Sequence, residues 1–299
     1  MPQLSDYIAP AAISSIIQQA VDEDLGPNRI DVTSQTFIPE TLTATAHIIA
    51  RKPGILCGAA LLPQITATYD PAITLTIHVN DGSRIQPQDN IVTLTGPLRS
   101  ILPAERIALN FVTHLSGVAT LTDQFVQLTE GTSAKICDTR KTIPGLRGLQ
   151  KYAVACGGGT NHRIGLYDAV LIKDNHLAHL HMENLSAAIT EACHRARAAH
   201  PNLKFVQVEV DTLEQLVQAL TAPVDIVLLD NMPPEVLQQA VAMRNKLSPT
   251  IQLEASGNVN LQTTHAIAEA GVDRISIGAL THSAPSLDFG LDIHENTSE

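Results

Sequence analysis

Residues 138–173 hold six basic side chains, Arg140, Lys141, Arg147, Lys151, Arg163 and Lys173, against two acidic ones. The remaining chain carries 13 Lys and Arg against 28 Asp and Glu. A cationic stretch in an otherwise acidic protein implies a small polyanionic ligand, because field is focused where charge of one sign gathers in a cleft. Arginine offers a planar fork that matches a carboxylate or phosphate, and lysine a mobile point charge. Arg140, Lys141 and Lys173 follow directly on short apolar runs and read as site residues. Arg147 and Lys151 read as solvated charge on a helix face.

Glu209 and Asp230 stand just past two further apolar runs. Carboxylates there suit ribose hydroxyls or Mg²⁺, which prefers oxygen ligands, or they balance local charge. Ser256-Gly257-Asn258 and Gly278 follow the last two runs. Such loops either hold phosphate on backbone N–H groups or are plain turns. Gly157-Gly158-Gly159 lacks the strand-to-helix context of a dinucleotide fingerprint. It reads as helix termination, or as backbone that approaches a ligand closely and presents His162 and Arg163. His176, His179 and His181 do not share one helical face and no HExxH is present. His179 and His181 therefore read as surface or structural histidines.

These residues need a scaffold, and its pattern is visible. Apolar runs fit for buried parallel strands occur at Ala134–Cys137, Ala169–Ile172, Phe205–Val208, Ile226–Leu229, Ile251–Leu253 and Ile275–Ile277. Helical stretches at Leu213–Leu220, Glu235–Leu247 and Gln262–Ala270 alternate with the later ones, which predicts a parallel sheet covered by helices. Polar residues follow every run, as on the active-site face of an α/β barrel. The first hundred residues differ. After a helix near Ile13–Asp24, the segments Leu42–Arg51, Ile73–Val79 and Ile91–Thr95 alternate as half-buried strands, and helical spacing begins at Pro103–Leu115.

Composition limits the function classes. The chain has 299 residues, 44% apolar and 16% charged, with net charge −11. That excludes a disordered chain and argues against nucleic-acid binding, which rests on Lys and Arg neutralising phosphates. Four scattered cysteines predict neither disulfides nor a zinc cage. No signal peptide or membrane span is expected, which makes the cytoplasm the default location.

Six blocks, Asp138–Gly145 (DTRKTIPG), Gly157–Arg163 (GGGTNHR), Val170–His176 (VLIKDNH), Leu228–Asn231 (LLDN), Leu253–Asn258 (LEASGN) and Ile275–His282 (ISIGALTH), together resemble the quinolinate phosphoribosyltransferases. The resemblance implies an α/β protein with an N-terminal α/β sandwich domain (residues 1–115, with a C-terminal return at 281–299). An open seven-stranded α/β barrel follows (116–280). It implies transfer of phosphoribose from phosphoribosyl pyrophosphate to quinolinate with decarboxylation, aided by Mg²⁺, in NAD biosynthesis. Arg140, His162, Arg163 and Lys173 match quinolinate contacts, and Thr139 matches a substrate contact in the same block. Arg106 matches an arginine reaching in from the partner of a homodimer. Lys141, Glu209 and Asp230 match contacts to phosphoribosyl pyrophosphate and Mg²⁺. With Lys173 they form the catalytic set. Ser256, Gly257, Asn258 and Gly278 match the 5′-phosphate loops. Ile30-Asp31-Val32-Thr33 and Asp211 depart from the family pattern without touching a cationic contact.

Three other readings share these residues. A relative associated with molybdate transporters would keep the fold and change the substrate. A Schiff-base aldolase would use Lys173 as nucleophile. A non-catalytic sensor would bind pyridine dicarboxylates without releasing pyrophosphate. The intact cationic, Mg²⁺ and phosphate blocks favour the transferase.

Overall fold

The computed structural model describes residues 2–177 and 184–295. His179 and His181 lie outside the described residues. The chain forms two compact units, one of Met1–Asp123, Ile143–Gly158 and Ser283–Glu299, the other of Gln124–Thr142 and Gly159–His282. Segment 143–158 thus groups with the N-terminal residues, whereas the sequence reading gave it to the barrel.

The first unit contains helices α1 (Pro10–Leu25), α2 (Val32–Phe37), α3 (Leu62–Tyr69), the start of α4 (Leu98–Gln127) and α5 (Arg147–Cys156). Its strands are β1 (Thr43–Ala50), β2 (Gly54–Ile55), β3 (Thr74–Ile77), β4 (Arg84–Ile85), β5 (Asn90–Pro97) and β12 (Phe289–Glu295). The main sheet is antiparallel in the order β12-β1-β5-β3, so the C-terminal strand returns to pair with β1. Ala44, Ala46, Ile48 and Ala50 of β1 are buried while Thr45 and His47 are less so, the period-2 pattern of a strand with one covered face. Helix α4 begins before the expected Pro103, because buried Leu98 and Ile101 extend its apolar stripe.

Helix α5 explains the glycine run. It ends at Cys156, with Gly157 N–H bonding Ala153 O and Gly158 at φ 82°. A Cβ on Gly157 would lie 2.2 Å from Ala119 O of α4. Helix termination and close helix packing therefore account for Gly157 and Gly158. Lys151 is only 1% exposed, which corrects its reading as solvated charge. Leu149, Tyr152, Ala153 and Val154 are buried too, so α5 has little solvent face on which the lysine could stand.

The second unit carries the parallel sheet, with strands β6 (Lys135–Cys137), β7 (Val170–Ile172), β8 (Val206–Val210), β9 (Ile226–Asp230), β10 (Gln252–Ser256) and β11 (Arg274–Ser276). Helices α6 (Asp174–Leu177), α7 (Leu185–Ala199), α8 (Leu213–Ala219), α9 (Pro234–Leu247), α10 (Thr264–Glu269) and α11 (Ala279–His282) connect or follow them. The order is β6-β11-β10-β9-β8-β7, all parallel, as an open α/β barrel requires. Among the described residues the sheet has six strands, with a single parallel bridge between Cys137 and Thr160 beside β6 in place of a full seventh. Each strand's alternation divides its side chains. In β8, Val206, Val208 and Val210 are buried apolar residues, while Gln207 and Glu209 turn to the opposite face.

Candidate active site

The C-terminal ends of the six parallel strands border a cavity of about 860 Å³. It is lined by Thr139, Arg140, Lys141, His162, Arg163, Lys173, Glu209, Asp230, Ser256, Gly257, Asn258 and Gly278. The structure thus brings together every expected site residue except Arg106. That residue is exposed on α4 within the first unit and does not line this cavity.

The cationic wall is built from β6, β7 and the turn at 161–163. Buried Asp138, at the end of β6, accepts from Asn161 Nδ2 (2.6 Å) and from the His162 backbone N–H (2.8 Å), fixing that turn. Arg163 is 7% exposed and donates to Ala169 O at 3.1 Å. Burial and the nearby Arg140 charge both lower its pKa. The repulsion is informative, since two crowded guanidinium groups suit a ligand that brings at least two negative charges. Lys173 Nζ donates to Glu209 Oε2 at 2.9 Å, joining the cationic side to the first carboxylate.

The opposite wall comes from β9, β10 and β11. Asp230 accepts from Asn231 Nδ2 (2.7 Å), and Asn231 Oδ1 accepts from Asn258 Nδ2 (3.0 Å). Asn231 and Asn258 have φ of 53° and 52°, a left-handed conformation that asparagine tolerates. Gly257, at φ 93°, leaves no room for a side chain, since a Cβ would fall 2.1 Å from Asn231 Oδ1. Gly278 is confined too, with its Cβ position 2.8 Å from Lys141 Cδ. Thr281 Oγ1 donates to Lys141 O (2.7 Å), and Lys141 N–H to Thr139 Oγ1 (3.0 Å).

His162 also lines the cavity. It is 7% exposed, and both ring nitrogens have protein partners: Nδ1 accepts from Arg163 N–H (2.8 Å) and Nε2 faces Gln207 Oε1 (2.7 Å). Sequence reasoning also passed over the cavity floor. Glu254 lines the cavity fully buried, its Oε1 3.4 Å from His162 Nε2 and its Oε2 2.8 Å from Arg274 Nε. Burial alone would push the Glu254 carboxyl up, but His162 and Arg274 outweigh it and hold it at about 2. Asn231 and His282 also line the cavity. The missed signal lay in strand alternation. Gln207 precedes Glu209, and Glu254 precedes Ser256, by two residues, which puts each pair on one face.

Fold and site define an α/β-barrel protein with a cationic cavity at the strand ends. Comparison with known proteins narrows the class. Residues 31–116 match the family model described as quinolinate phosphoribosyl transferase, N-terminal domain, and residues 118–292 match its C-terminal domain. A nicotinate-nucleotide pyrophosphorylase (carboxylating) of Mycobacterium leprae is 43% identical over 97% of this chain and 100% of its own. A probable enzyme of the same name from Bacillus subtilis is 41% identical over 91% of this chain and 90% of its own. The solved nicotinate-nucleotide pyrophosphorylase of Francisella tularensis superposes with TM-score 0.88 at 38% identity, covering 98% of this chain and 100% of that one. The chain belongs to the quinolinate phosphoribosyl transferase family.

Proposed function

We propose that this chain transfers phosphoribose from phosphoribosyl pyrophosphate to quinolinate with decarboxylation, giving nicotinate mononucleotide, pyrophosphate and carbon dioxide. The observation that supports this most is the division of one cavity into two chemistries. Arg140, Arg163 and Lys173 supply positive charge for a rigid dicarboxylate, while Glu209, Asp230 and the Gly257 and Gly278 loops suit a phosphorylated sugar. Arginines and a lysine at fixed positions orient the pyridine ring so that its nitrogen faces the sugar's anomeric carbon. As the bond from that carbon to pyrophosphate breaks, positive charge grows on the ribose ring, and Glu209 and Asp230 stabilise it electrostatically. The ring nitrogen's lone pair then forms the new bond. The resulting pyridinium accepts the electron pair released when the adjacent carboxylate leaves as carbon dioxide, and a proton from solvent replaces it. The cationic wall keeps the second carboxylate clamped throughout.

Mg²⁺ fits this reading. Glu209 and Asp230 are hard oxygen donors on neighbouring strands, whereas no cluster of three or more His, Cys, Asp or Glu among the described residues forms a cage. That donor set suits an ion held by one or two carboxylates, substrate phosphates and water. When bound, it would neutralise charge on the leaving pyrophosphate. Arg106 of the partner subunit completes the quinolinate end in a two-fold dimer, and the protein acts in the cytoplasm. Among the described residues no helix is long and apolar enough to cross a membrane.

Comparing quinolinate with nicotinate tests the reading. A cationic set built for two carboxylates predicts turnover with quinolinate and little with nicotinate. Equal turnover of both would refute the dicarboxylate assignment.

A further inference from the structure

Beneath the cavity, three strands of the parallel sheet carry polar side chains that the proposed reaction does not use. Gln207 of β8, Glu254 of β10 and Arg274 of β11 are each at most 9% exposed. Their atoms Gln207 Nε2, Glu254 Oε1 and Arg274 Nη2 are buried without a hydrogen-bond partner. Leaving polar atoms unpaired in a core is costly, so such a group calls for a reason.

Two of these side chains, Gln207 and Glu254, face His162. The Arg163 backbone N–H can only donate, so His162 Nδ1, 2.8 Å away, must accept and carry no proton. The neutral ring then holds its proton on Nε2. Both groups facing Nε2 are acceptors: Gln207 Oε1 at 2.7 Å and the Glu254 carboxylate at 3.4 Å. Rotating the Gln207 amide would set N–H against N–H, so that side chain also has one allowed orientation. Arg274, bonded to Glu254 Oε2, holds the carboxylate in place, and with His162 it keeps the group ionised. Phe205 packs edge-on to the imidazole with ring centroids 5.1 Å apart and holds its plane.

We propose that Gln207 and Glu254 are positioning residues for quinolinate, acting through the tautomer of His162 to hold the backbone of Arg163. This deepens, and rests on, the functional reading above. The need for such a brace is electrostatic. Arg163 and Arg140 line the same cavity, and the Arg140 charge acts on Arg163, so the two like charges push apart. A guanidinium on an unbraced backbone relaxes towards solvent, and its geometry is lost before the dicarboxylate arrives. The locked imidazole resists that drift from below, while Asp138 grips the His162 N–H on the other side.

The test combines ring nitrogen NMR with substrate titration on the full-length protein. Wild type should show His162 protonated at Nε2 only. Glu254→Gln and Gln207→Leu should each mix or reverse the tautomers and raise Kd and KM for quinolinate roughly tenfold, the scale of one charge-assisted contact. KM for phosphoribosyl pyrophosphate should stay within about twofold, as expected for a separate subsite. Gln207→Glu, which keeps an acceptor, should restore the Nε2–H form. In a His162→Ala background, each substitution should cost less than about twofold, because its route is already cut. Gln207→Leu leaves the Glu254–Arg274 pair intact and serves if Glu254→Gln does not fold. An unchanged tautomer, an equal rise in both KM values, or undiminished cost in the His162→Ala background would overturn the proposal. The NMR result stands apart from turnover, so a wild type that fails to bind quinolinate would count against the functional reading, with the tautomer still deciding the lock.

Discussion

Replacing Arg274 by Met keeps its bulk and removes the partner of a fully buried carboxylate. In the native chain His162 and Arg274 together overcome burial and hold Glu254 at about 2, against an ordinary value of 4.5. At 1.36 kcal/mol per pH unit, that displacement corresponds to about 3 kcal/mol of folded-state stabilisation of the charged form, shared between the two partners. Because the folded value is depressed, this stability is complete above about pH 4.5 and is lost as pH falls through about 2. Without Arg274 the carboxylate is buried with no cation bonded to it, a change that typically costs about 3–5 kcal/mol. For a unit of this size, each kcal/mol lowers Tm by roughly 2–4 °C, so the variant should melt about 6–20 °C lower at pH 7. Acid should shrink the gap, since Glu254 in the variant takes up a proton and sheds its buried charge well above the native value. Calorimetric melts of both proteins between pH 3.5 and 7.5 would measure the difference. A Tm gap that stays constant over that range would refute the assignment of Glu254 as a buried anion held by Arg274.

Further outcomes follow from the two halves of the cavity. Arg163→Ala should weaken quinolinate binding by about 2–5 kcal/mol and leave phosphoribosyl pyrophosphate binding nearly intact, which titration calorimetry can separate. Asp230→Ala should raise the Mg²⁺ requirement and lower kcat while quinolinate still binds the free enzyme; loss of that binding would move Asp230 to the other subsite. Gly257→Ala drives a Cβ into Asn231 at 2.1 Å and strains a φ of 93°, so it should raise KM for phosphoribosyl pyrophosphate at least tenfold, a shift of about 1.4 kcal/mol or more. On the proposed two-fold dimer with shared sites, mixing inactive Arg106→Ala and Arg140→Ala proteins should restore about a quarter of wild-type activity, because random exchange makes half the dimers mixed and each mixed dimer has one intact site. No recovery after proven subunit exchange would remove Arg106 from the partner's site.

The parallel strands were legible because each is a short apolar run and five of the six are followed by charge, as in Ile226–Leu229 before Asp230-Asn231. That pattern reports burial on both faces and a polar end, the two properties that place a strand in an α/β barrel. Arg140, Lys173 and Glu209 were legible for the same reason. The floor was not. Gln207 sits inside the run Phe205–Val208 and Glu254 directly after Ile251–Leu253, and only the two-residue alternation separates their face from that of Val206 or Leu253. Lys151 misled because a lysine in a helical stretch is usually solvated, and its burial depends on neighbours that local spacing does not reveal. His162 was placed in the correct cavity, but its role turns on which ring nitrogen carries the proton. That is set by the backbone of the next residue and by a glutamine 45 positions away.

The central claim is that one cavity couples phosphoribosyl transfer to loss of a carboxylate. Incubating the protein with Mg²⁺, phosphoribosyl pyrophosphate and quinolinate carrying a labelled carboxylate next to the ring nitrogen would test it most directly. The account predicts labelled carbon dioxide, pyrophosphate and nicotinate mononucleotide in equal amounts. Nucleotide that retains the label, or quinolinate binding with no pyrophosphate released, would contradict it.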